Sequence, residues 1–562
     1  MKQKHSFGTD FISSHLVLCS FFAVLAYTLF FAVSMWQSGE FYFLDTDCYT
    51  RYLRITDWLS TDFSWFEKIF PFTNCPNGEV LHFTRINDII WLFFSLPFMA
   101  FMPLKSAIFA GGLIFSPLIF VATSALLLCG LKKFAGETDF QKPALFIFAF
   151  ALIFLAKTMV FEFGRPDHHS LMLLIATFLS ISLIKPTSKN MLFAGIFGAC
   201  GIWTSSAPEG LLLAYSVLAV LVIGEIFYNQ PFDFAYKYTL GLFLGTAFAF
   251  AVNPPFEGYL YFDNTRLSLI HVTICALTFL SFAVVKKINP SERFDKIAML
   301  GFCAILSIVI LFLIFDSKTI FAPMYTKQMK EYFVFHVAEM QPIIAQECWY
   351  FIFGSLEILV LYRLFQRKNF GYMALYILFF IYLPFSVFIR RFMPYGILFY
   401  TLINSLIFVE LFKRLPVSDY YKWGTLIYIT LITAFSVSFS YNITPKWAVY
   451  PQLQGCALTD IFFSPQLIYK TGITTVGSPY HRNIEGITDT VEIFSETDEK
   501  IIRKRLKKRG VKYIIISDEP LEYLQNAPQN SFYINLMRGT KYDWLKKINE
   551  DDSNILYFEL TN

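Results

Sequence analysis

Long apolar stretches recur along most of the chain, and short polar segments separate them. Many of these stretches reach the roughly 20 residues that a helix needs to cross a bilayer. The pattern therefore predicts a polytopic helical membrane protein. We place thirteen spans at residues 15–36, 106–131, 143–161, 169–184, 190–205, 209–228, 237–252, 268–285, 297–315, 346–363, 372–388, 392–412 and 423–440.

The apolar stretch 89–104 is interpreted differently, as a helix at the membrane interface, because it is short and Pro97 and Pro103 interrupt it. With this choice most basic loops, including the one with Lys132 and Lys133, fall on the inner face, as the positive-inside rule requires. The segments that then share the outer face are 37–105, 162–168, 205–208, 253–267, 316–345, 389–391 and everything after 440.

The tail of the chain, residues 441–562, is polar and charged. Its stretch KIIRKRLKKRGVKYIIISDEP predicts a basic helix, a stop at Gly510 and a short buried strand. We therefore predict two domains. Residues 1–440 form an all-α membrane domain with outer loops 37–105 and 316–345, and residues 441–562 form a small extracytoplasmic α/β domain.

The composition agrees with a membrane protein and argues against some classes of function. Only 16% of the 562 residues are charged, whereas soluble proteins have about one quarter. The net charge of +4 is too small to indicate a nucleic-acid partner. The nine cysteines contain no CxxC pair, which argues against a zinc ribbon. Cys48 and Cys75 share the first outer loop and could form a disulfide, although pairing cannot be deduced from sequence.

The stretch EFGRPDHHSLM, residues 162–172, crowds acids, an arginine and two histidines into an apolar chain. Asp167 and His169 offer an oxygen and an imidazole donor, a mixture that suits Mn²⁺ or Zn²⁺ as well as Mg²⁺. Asp167 could instead cap the next helix, where its charge favours the helix dipole. A cap does not require two histidines, so a metal or phosphate site is the preferred interpretation, with Arg165 as a phosphate contact.

Other polar residues occur at the predicted outer ends of spans. In LDTDCYTRYLR, Asp45 and Asp47 could hold a divalent cation, or one of them could cap a helix. Arg390 and Arg391 in IRRFMPYG could bind a phosphate bidentately, or reach towards lipid headgroups. The further candidates are His82 in GEVLHFTRINDI, Glu209 in SSAPEGLL and Glu339 in HVAEMQP.

These candidates favour one class of protein. Acids and histidines for a metal and arginines for a phosphate lie on the same predicted face, which indicates an enzyme with a lipid-linked phosphate substrate. A transporter would more often place its polar groups near the bilayer midplane, inside broken spans. The spans here are largely uninterrupted.

In order along the chain, these motifs resemble those of the catalytic subunit of oligosaccharyltransferases, which have the GT-C membrane architecture of about thirteen spans. The first-loop acid of that family falls on Asp47, with Asp45 as the alternative. Its second-loop motif, DHH in archaeal members, falls on residues 167–169. The loop histidine matches His82, the mobile-loop glutamate matches Glu339, and the R-F-x-x-Y motif starts at Arg391.

The resemblance implies an inverting, metal-dependent transfer of a sugar or oligosaccharide from a polyprenyl-(pyro)phosphate donor. Mn²⁺ or Mg²⁺ would be held by Asp47, Asp167 and His169, with His82 as a further ligand. Arg391 would contact the donor phosphate, alongside Arg390 and Arg165. Glu339 and Asp47 or Asp45 would orient the acceptor, and the loop 316–345 would close over the substrates.

The acceptor is left open because the family's WWDYG motif, which reads the glycosylation sequon, is absent. Asp460 is the nearest match to its acid, while His481 and Arg482 in PYHRN are candidate acceptor contacts. His168 is assigned to a substrate contact or to a supporting role behind the metal. The acceptor could be a protein, a lipid or a glycan, and the site would face the extracytoplasmic side of the cell membrane. The alternatives are a GT-C enzyme or an O-antigen-ligase-like enzyme acting on lipid or glycan, and a transporter or non-catalytic membrane protein.

Overall fold

The computed structural model describes residues 7–60, 66, 69–141, 143–315, 330, 337–342, 369–414, 453–517, 521–548 and 555–561. The chain divides into two compact units. The membrane unit comprises residues 1–42, 83–322 and 342–441. The sheet unit comprises residues 43–82, 323–341 and 442–562. The first predicted outer loop therefore supplies part of the sheet unit.

The described helices are, in chain order, α1 (Phe7–Ser14), α2 (Leu16–Gln37), α3 (Thr46–Ser60), α4 (Arg85–Met99), α5 (Leu104–Ala135), α6 (Glu137–Gln141), α7 (Ala144–Ala156), α8 (His168–Ile184), α9 (Ser188–Thr204), α10 (Leu211–Tyr228), α11 (Phe232–Val252), α12 (Leu269–Ile288), α13 (Arg293–Ile314), α14 (Phe370–Phe388), α15 (Met393–Arg414), α16 (Ser464–Thr471), α17 (Ile484–Ser495), α18 (Glu499–Arg509) and α19 (Phe532–Met537). One π-helix, Ser206–Gly210, precedes α10, and the 3₁₀ turn Arg390–Phe392 precedes α15.

Eight helices in the described part of the chain are long and apolar enough to cross a membrane. They are Leu16–Gln37, Leu104–Ala135, Pro208–Tyr228, Phe232–Val252, Leu269–Ile288, Arg293–Ile314, Phe370–Phe388 and Arg390–Glu410. The shorter helices α7 and α8 are also apolar. The predicted helical membrane fold is thus confirmed, whereas the predicted spans 346–363 and 423–440 lie outside the described residues.

The predicted span 143–161 is shorter than expected. Helix α7 already ends at Ala156, and the backbone then turns through Met159, whose φ is +59°. Helix α4 is 15 residues long and contains Pro97, in agreement with a segment too short to span. Residues 157–167 therefore form the connection between α7 and α8, and the DHH motif begins at its last residue.

Small residues let the helices of the membrane unit approach one another closely. A Cβ at Gly195 of α9 would overlap the carbonyl oxygen of Tyr238, and a Cβ at Gly241 of α11 would overlap that of Leu192. Close contacts between helix backbones are a common way to gain packing energy in lipid. By contrast, α13 has no buried residue, as expected for a helix that faces lipid.

The sheet unit contains a five-stranded sheet in its described part. The strands are β1 (Cys456–Thr459), β2 (Thr474–Thr475), β3 (Val511–Ser517), β4 (Leu545–Lys547) and β5 (Ile555–Leu560), in the order β2-β1-β3-β5-β4. Strands β2 and β3 pair with β1 in parallel, and β5 pairs with β3 and β4 antiparallel. This confirms the predicted small α/β domain.

Helix α18 and strand β3 show why the sequence folds as predicted there. Ile502 and Leu506 face the core, while the basic side chains between them are mostly exposed. The helix stops at Gly510, whose φ of +65° is a left-handed conformation that glycine adopts without strain. Strand β3 then continues directly into the sheet.

The first outer loop is fastened to the sheet within the sheet unit. Cys75 forms a disulfide with Cys456 of β1. The amide of Cys75 donates to the carbonyl of Thr475 at 3.1 Å, and the amide of Thr475 donates to the carbonyl of Phe72 at 2.9 Å. The suggested Cys48–Cys75 disulfide is therefore wrong, because Cys75 is bonded to Cys456, while Cys48 is buried in α3.

Candidate active site

The start of helix α8 is built by a sharp turn that requires glycine. Gly164 has a φ of +83°, and a Cβ there would meet the carbonyl oxygen of Tyr42 at 2.8 Å. Asp167 follows as the N-cap, and its Oδ1 accepts from the backbone N–H of His168 at 2.6 Å. The capping interpretation of Asp167 is thus correct in itself. It leaves the carboxylate within reach of both histidines.

The two histidines of the motif lie between two carboxylates. His168 places Nδ1 2.5 Å from Asp167 Oδ1 and Nε2 4.0 Å from Glu209 Oε2. His169 is turned the other way, with Nε2 3.5 Å from Asp167 Oδ2 and Nδ1 3.6 Å from Glu209 Oε1. The two rings lie 4.1 Å apart between their centroids. Each imidazole therefore faces Asp167 with one nitrogen and Glu209 with the other.

Arg391 completes this cluster from the 3₁₀ turn before α15. Its Nε donates to Glu209 Oε1 at 2.5 Å, and its Nη2 lies 2.9 Å from His168 Nε2. The Arg391 side chain is 19% exposed, whereas the Glu209 side chain is fully buried. A cation thus borders a buried cluster of acid and imidazole groups at the ends of apolar helices. We call Asp167, His168, His169, Glu209 and Arg391 the polar cluster.

The remaining charged residues of the GRPDHH turn form a looser pair. Arg165 Nη1 lies 3.9 Å from Glu162 Oε2 and donates to the carbonyl of Met159 at 3.4 Å. Burial raises the pKa of Glu162 to about 7, although the Arg165 charge acts in the opposite direction. Arg390, the neighbour of Arg391, is only partly buried.

The donors present fit a divalent cation. Asp167, His168 and His169 each offer one ligand atom, and these atoms lie within 4.8 Å of one another. One carboxylate oxygen with imidazole nitrogens suits Mn²⁺ or Zn²⁺ better than Ca²⁺, which prefers oxygen alone. His168 uses both ring nitrogens inside the polar cluster, on Asp167 and on Arg391. Asp167 and His169 are therefore the better pair of ligands.

Glu209 is the residue of this cluster for which the sequence motifs predict no role. The signal was an acid at the beginning of an apolar span, a costly position in a membrane. What the sequence could not show is its partner, because Arg391 lies 182 residues further along the chain.

The first-loop acids lie at the start of α3 in the sheet unit. Asp45 Oδ1 accepts from the backbone N–H of Asp47 at 2.9 Å, which is a helix-capping contact. Both acids are half-buried. Glu339, also in this unit, lies in the short 3₁₀ turn Ala338–Met340. The prediction that Asp47, His82 and Glu339 share a site with residues of the membrane unit stays a prediction.

The candidate acceptor residues and a buried acid, Glu79, lie in the sheet unit. The rings of His82 and His481 are 4.7 Å apart between centroids. Glu79 accepts hydrogen bonds from Thr73 at 2.5 Å and Ser478 at 3.0 Å. Burial raises the pKa of Glu79 to about 7, although these two hydrogen bonds and the nearby charge of Arg482 act against that rise. Glu79 thus links the first loop to Ser478, the residue directly before the PYHRN segment.

Asp460, the nearest match to the acid of WWDYG, is also held in place. It accepts from the hydroxyl of Tyr523 at 3.0 Å and from the amide of Phe462 at 3.2 Å. Burial raises its pKa to about 6, with the Tyr523 hydrogen bond opposing the rise. These contacts give Asp460 a structural task next to strand β1.

Comparisons with known proteins identify the fold. No protein-family model and no curated protein matches the chain. Three structures of Archaeoglobus fulgidus oligosaccharyltransferase are similar to it. The first is a complex with an inhibitory peptide and a dolichol-phosphate. Its sequence is 15% identical to this chain and its TM-score is 0.62, and the match covers 90% of this chain and 70% of that chain.

The apo form shows 16% identity, a TM-score of 0.64 and coverage of 89% and 70%. A complex with Zn and sulfate shows 16% identity, a TM-score of 0.63 and coverage of 90% and 68%. The chain is a membrane protein with the fold of these oligosaccharyltransferases, as its motifs predicted. At such low identity the likeness is one of fold.

Proposed function

We propose that the protein is a membrane glycosyltransferase, which moves a sugar or oligosaccharide from a polyprenyl-(pyro)phosphate donor to an acceptor on the extracytoplasmic face. The observation that carries the proposal is the polar cluster. Its two carboxylates, its two imidazoles and Arg391 converge at the ends of apolar helices, in a fold shared with oligosaccharyltransferases. A site at helix ends suits a substrate with a phosphate headgroup and a lipid tail.

The roles follow from charge and geometry. Arg391 would bind the donor phosphate, where a guanidinium stabilises the charge that develops as the glycosyl bond breaks. Arg165 and Arg390 are further candidates for this contact. Asp167 and His169 would hold the divalent cation, together with Asp47 and His82 as predicted from the sequence. A bound Mn²⁺ or Mg²⁺ would act as a Lewis acid on the phosphate oxygens.

The acceptor would be held by the sheet unit. His481 and Arg482 lie in the segment fastened to the first loop by Glu79, and Glu339 with Asp47 or Asp45 would orient the attacking group. The structural neighbour bound an inhibitory peptide and a dolichol-phosphate. We infer by analogy that this protein takes a polyprenyl-linked donor, with a peptide as the first acceptor to test.

The disulfide supports the extracytoplasmic placement. Cys75 and Cys456 are paired, and such bonds persist in oxidising compartments and are rare in the cytosol. Both cysteines belong to the sheet unit. We therefore place this unit on the oxidising side of the membrane.

The proposal is tested by incubating the purified full-length protein with a labelled polyprenyl-pyrophosphate glycan and candidate acceptors. Transfer is expected without chelator, is expected to stop with EDTA, and is expected to return when Mn²⁺ is added in excess. Separating peptide, lipid and water-soluble products identifies the acceptor class. Absence of labelled product in every fraction would contradict the proposed function, and transfer that EDTA does not change would contradict its metal dependence.

A further inference from the structure

We propose that Glu209 is a positioning residue. Its single carboxylate orients both His169, the proposed metal ligand, and Arg391, the proposed phosphate contact. This inference rests on the proposed function for the identity of the ligands. It assigns a task to a residue that the motifs of the chain leave without one.

The carboxylate of Glu209 is buried among members of the polar cluster. Glu209 is 0% exposed at the start of an apolar helix. Removing a carboxylate from water costs several kcal/mol unless charged or hydrogen-bonding partners offset it. The ion pairs of Glu209 in the described structure are with Arg391, His168 and His169, all members of the polar cluster. A purely structural acid would have no need for partners drawn from a binding site.

The backbone at Glu209 is built for this placement. The residue lies in the π-helix Ser206–Gly210, where one extra residue widens the turn before α10. A Cβ at Gly210 would overlap the carbonyl oxygens of Ser205 and Gly201, so only glycine fits there. Such π turns alter which side chains point inward, and they are frequent at functional sites.

Glu209 also faces the ring of His169, so it bears on which ring nitrogen carries the proton. A neutral imidazole carries one N–H, and the partner of one ring nitrogen decides what the other can do. Nδ1 of His169 faces Glu209 and Nε2 faces Asp167. If Glu209 accepts the proton of Nδ1, the lone pair of Nε2 points to the Asp167 side, where a cation would be bound. Carboxylates behind metal-bound histidines act in this way.

The distance of 3.6 Å between Nδ1 and Glu209 Oε1 is longer than a hydrogen bond. Contacts of this kind shorten when a site binds its ligands. The contact therefore fits a ring that is preoriented by Glu209 and tightened on cation binding.

Glu209 also orients the guanidinium of Arg391. Glu209 Oε1 accepts from Nε of Arg391 at 2.5 Å, and the same oxygen faces His169 Nδ1. A hydrogen bond at Nε sets the plane of the guanidinium and thus the direction of its terminal nitrogens. Loss of Glu209 should therefore loosen the cation site and the phosphate site in one step.

The test measures Mn²⁺ affinity of the purified full-length protein by electron paramagnetic resonance, together with donor kinetics. We expect Glu209→Gln and Glu209→Ala to weaken Mn²⁺ binding by about 10- to 100-fold and to raise the KM for the donor. Glu209→Asp keeps the charge and should recover part of the Mn²⁺ affinity. A structural role alone would lower the melting temperature without moving the Mn²⁺ affinity of the folded protein.

Glu225→Gln is the matched control. Glu225 lies near the other end of α10 and pairs with Lys296 at 2.9 Å, away from the polar cluster. This variant should bind Mn²⁺ and donor as the wild type does. If the wild type transfers glycan and Glu209→Gln keeps the wild-type Mn²⁺ affinity and donor KM, the inference about Glu209 is overturned. Failure of the wild type to transfer any glycan would instead contradict the proposed function.

Discussion

Two buried glutamates, one in each unit, are held in opposite ways. Glu209 of the membrane unit is paired with the guanidinium of Arg391 and faces two imidazoles. Glu79 of the sheet unit accepts from the hydroxyls of Thr73 and Ser478. Burial is nearly complete for both side chains, so the difference lies in their partners.

The partners indicate what each acid does. Hydroxyls satisfy a carboxyl group in either protonation state, and burial then raises the pKa of Glu79 to about 7. This suits a residue that holds two chain segments together. A guanidinium stabilises only the charged form of its partner, so the arrangement at Glu209 preserves charge at a site where phosphate and metal would bind. Glu79 is therefore a structural acid, whereas Glu209 belongs to the proposed active site.

Among the variants that distinguish the roles of Glu209 and Glu79, removal of Arg391 should have the largest effect on stability and transfer. Arg391→Ala leaves Glu209 buried without its cation, which costs about 3–5 kcal/mol of stability, and transfer should fall by about 100- to 1000-fold. Arg391→Lys should not restore the rate, because a lysine lacks the planar fork of donors.

These rates are measured with the labelled donor, and unfolding is followed by differential scanning fluorimetry. Lys296→Ala, which removes the partner of Glu225, is the control and should retain wild-type transfer. A wild-type rate in Arg391→Ala would remove Arg391 and its pairing with Glu209 from the mechanism.

The next effect concerns the sheet unit alone. Cys75→Ser opens the bond to Cys456, which closes a chain separation of 381 residues, and should cost about 2–5 kcal/mol of stability. Dithiothreitol should lower the melting temperature of the wild type towards that of the variant. Cys129→Ser changes an exposed free thiol and should have little effect. Equal melting temperatures for wild type and Cys75→Ser would speak against the bond.

The smallest effect is a change in pH dependence. The folded pKa of Glu79 is about 7 against an ordinary value of 4.5. Below pH 4.5 both states are protonated. Between pH 4.5 and 7 only the unfolded state ionises, so stability falls as the pH rises. Glu79→Gln should remove this loss and stabilise the unit by up to about 3 kcal/mol at pH 8, as measured by melting temperatures from pH 4 to 8.

Asp460, with a pKa of about 6, should leave a smaller slope in the Glu79→Gln variant. The hydrogen bonds from Thr73 and Ser478 can persist because glutamine keeps an acceptor oxygen. An unchanged pH profile in Glu79→Gln would show that Glu79 ionises in the folded protein as it does in water.

The sequence predicted the parts of this molecule that depend on local pattern. The apolar runs predicted the membrane helices, and the basic stretch before Gly510 predicted α18 and β3. The chemistry of residues 167–169 indicated a metal site at the start of a span, where the structure places Asp167 as a cap with two histidines beside it.

Pairings over long chain separations could not be predicted. Cys48 and Cys75 share the first outer loop, which suggests a disulfide between them, but the partner of Cys75 is Cys456. The pairing of Glu209 with Arg391 has no local signal, since it depends on how the π-helix before α10 and the 3₁₀ turn before α15 are brought together. The end of α7 at Ala156 was missed because the apolar run continues past the turn.

The most direct test of the account is transfer by Asp167→Asn. Asparagine can still cap α8, so the protein should reach the membrane in wild-type amount, while the charged ligand is lost. We expect transfer from the labelled polyprenyl-pyrophosphate glycan to fall by at least about 100-fold, together with the Mn²⁺ affinity. Transfer near the wild-type rate in this variant would contradict the assignment of the polar cluster as the active site.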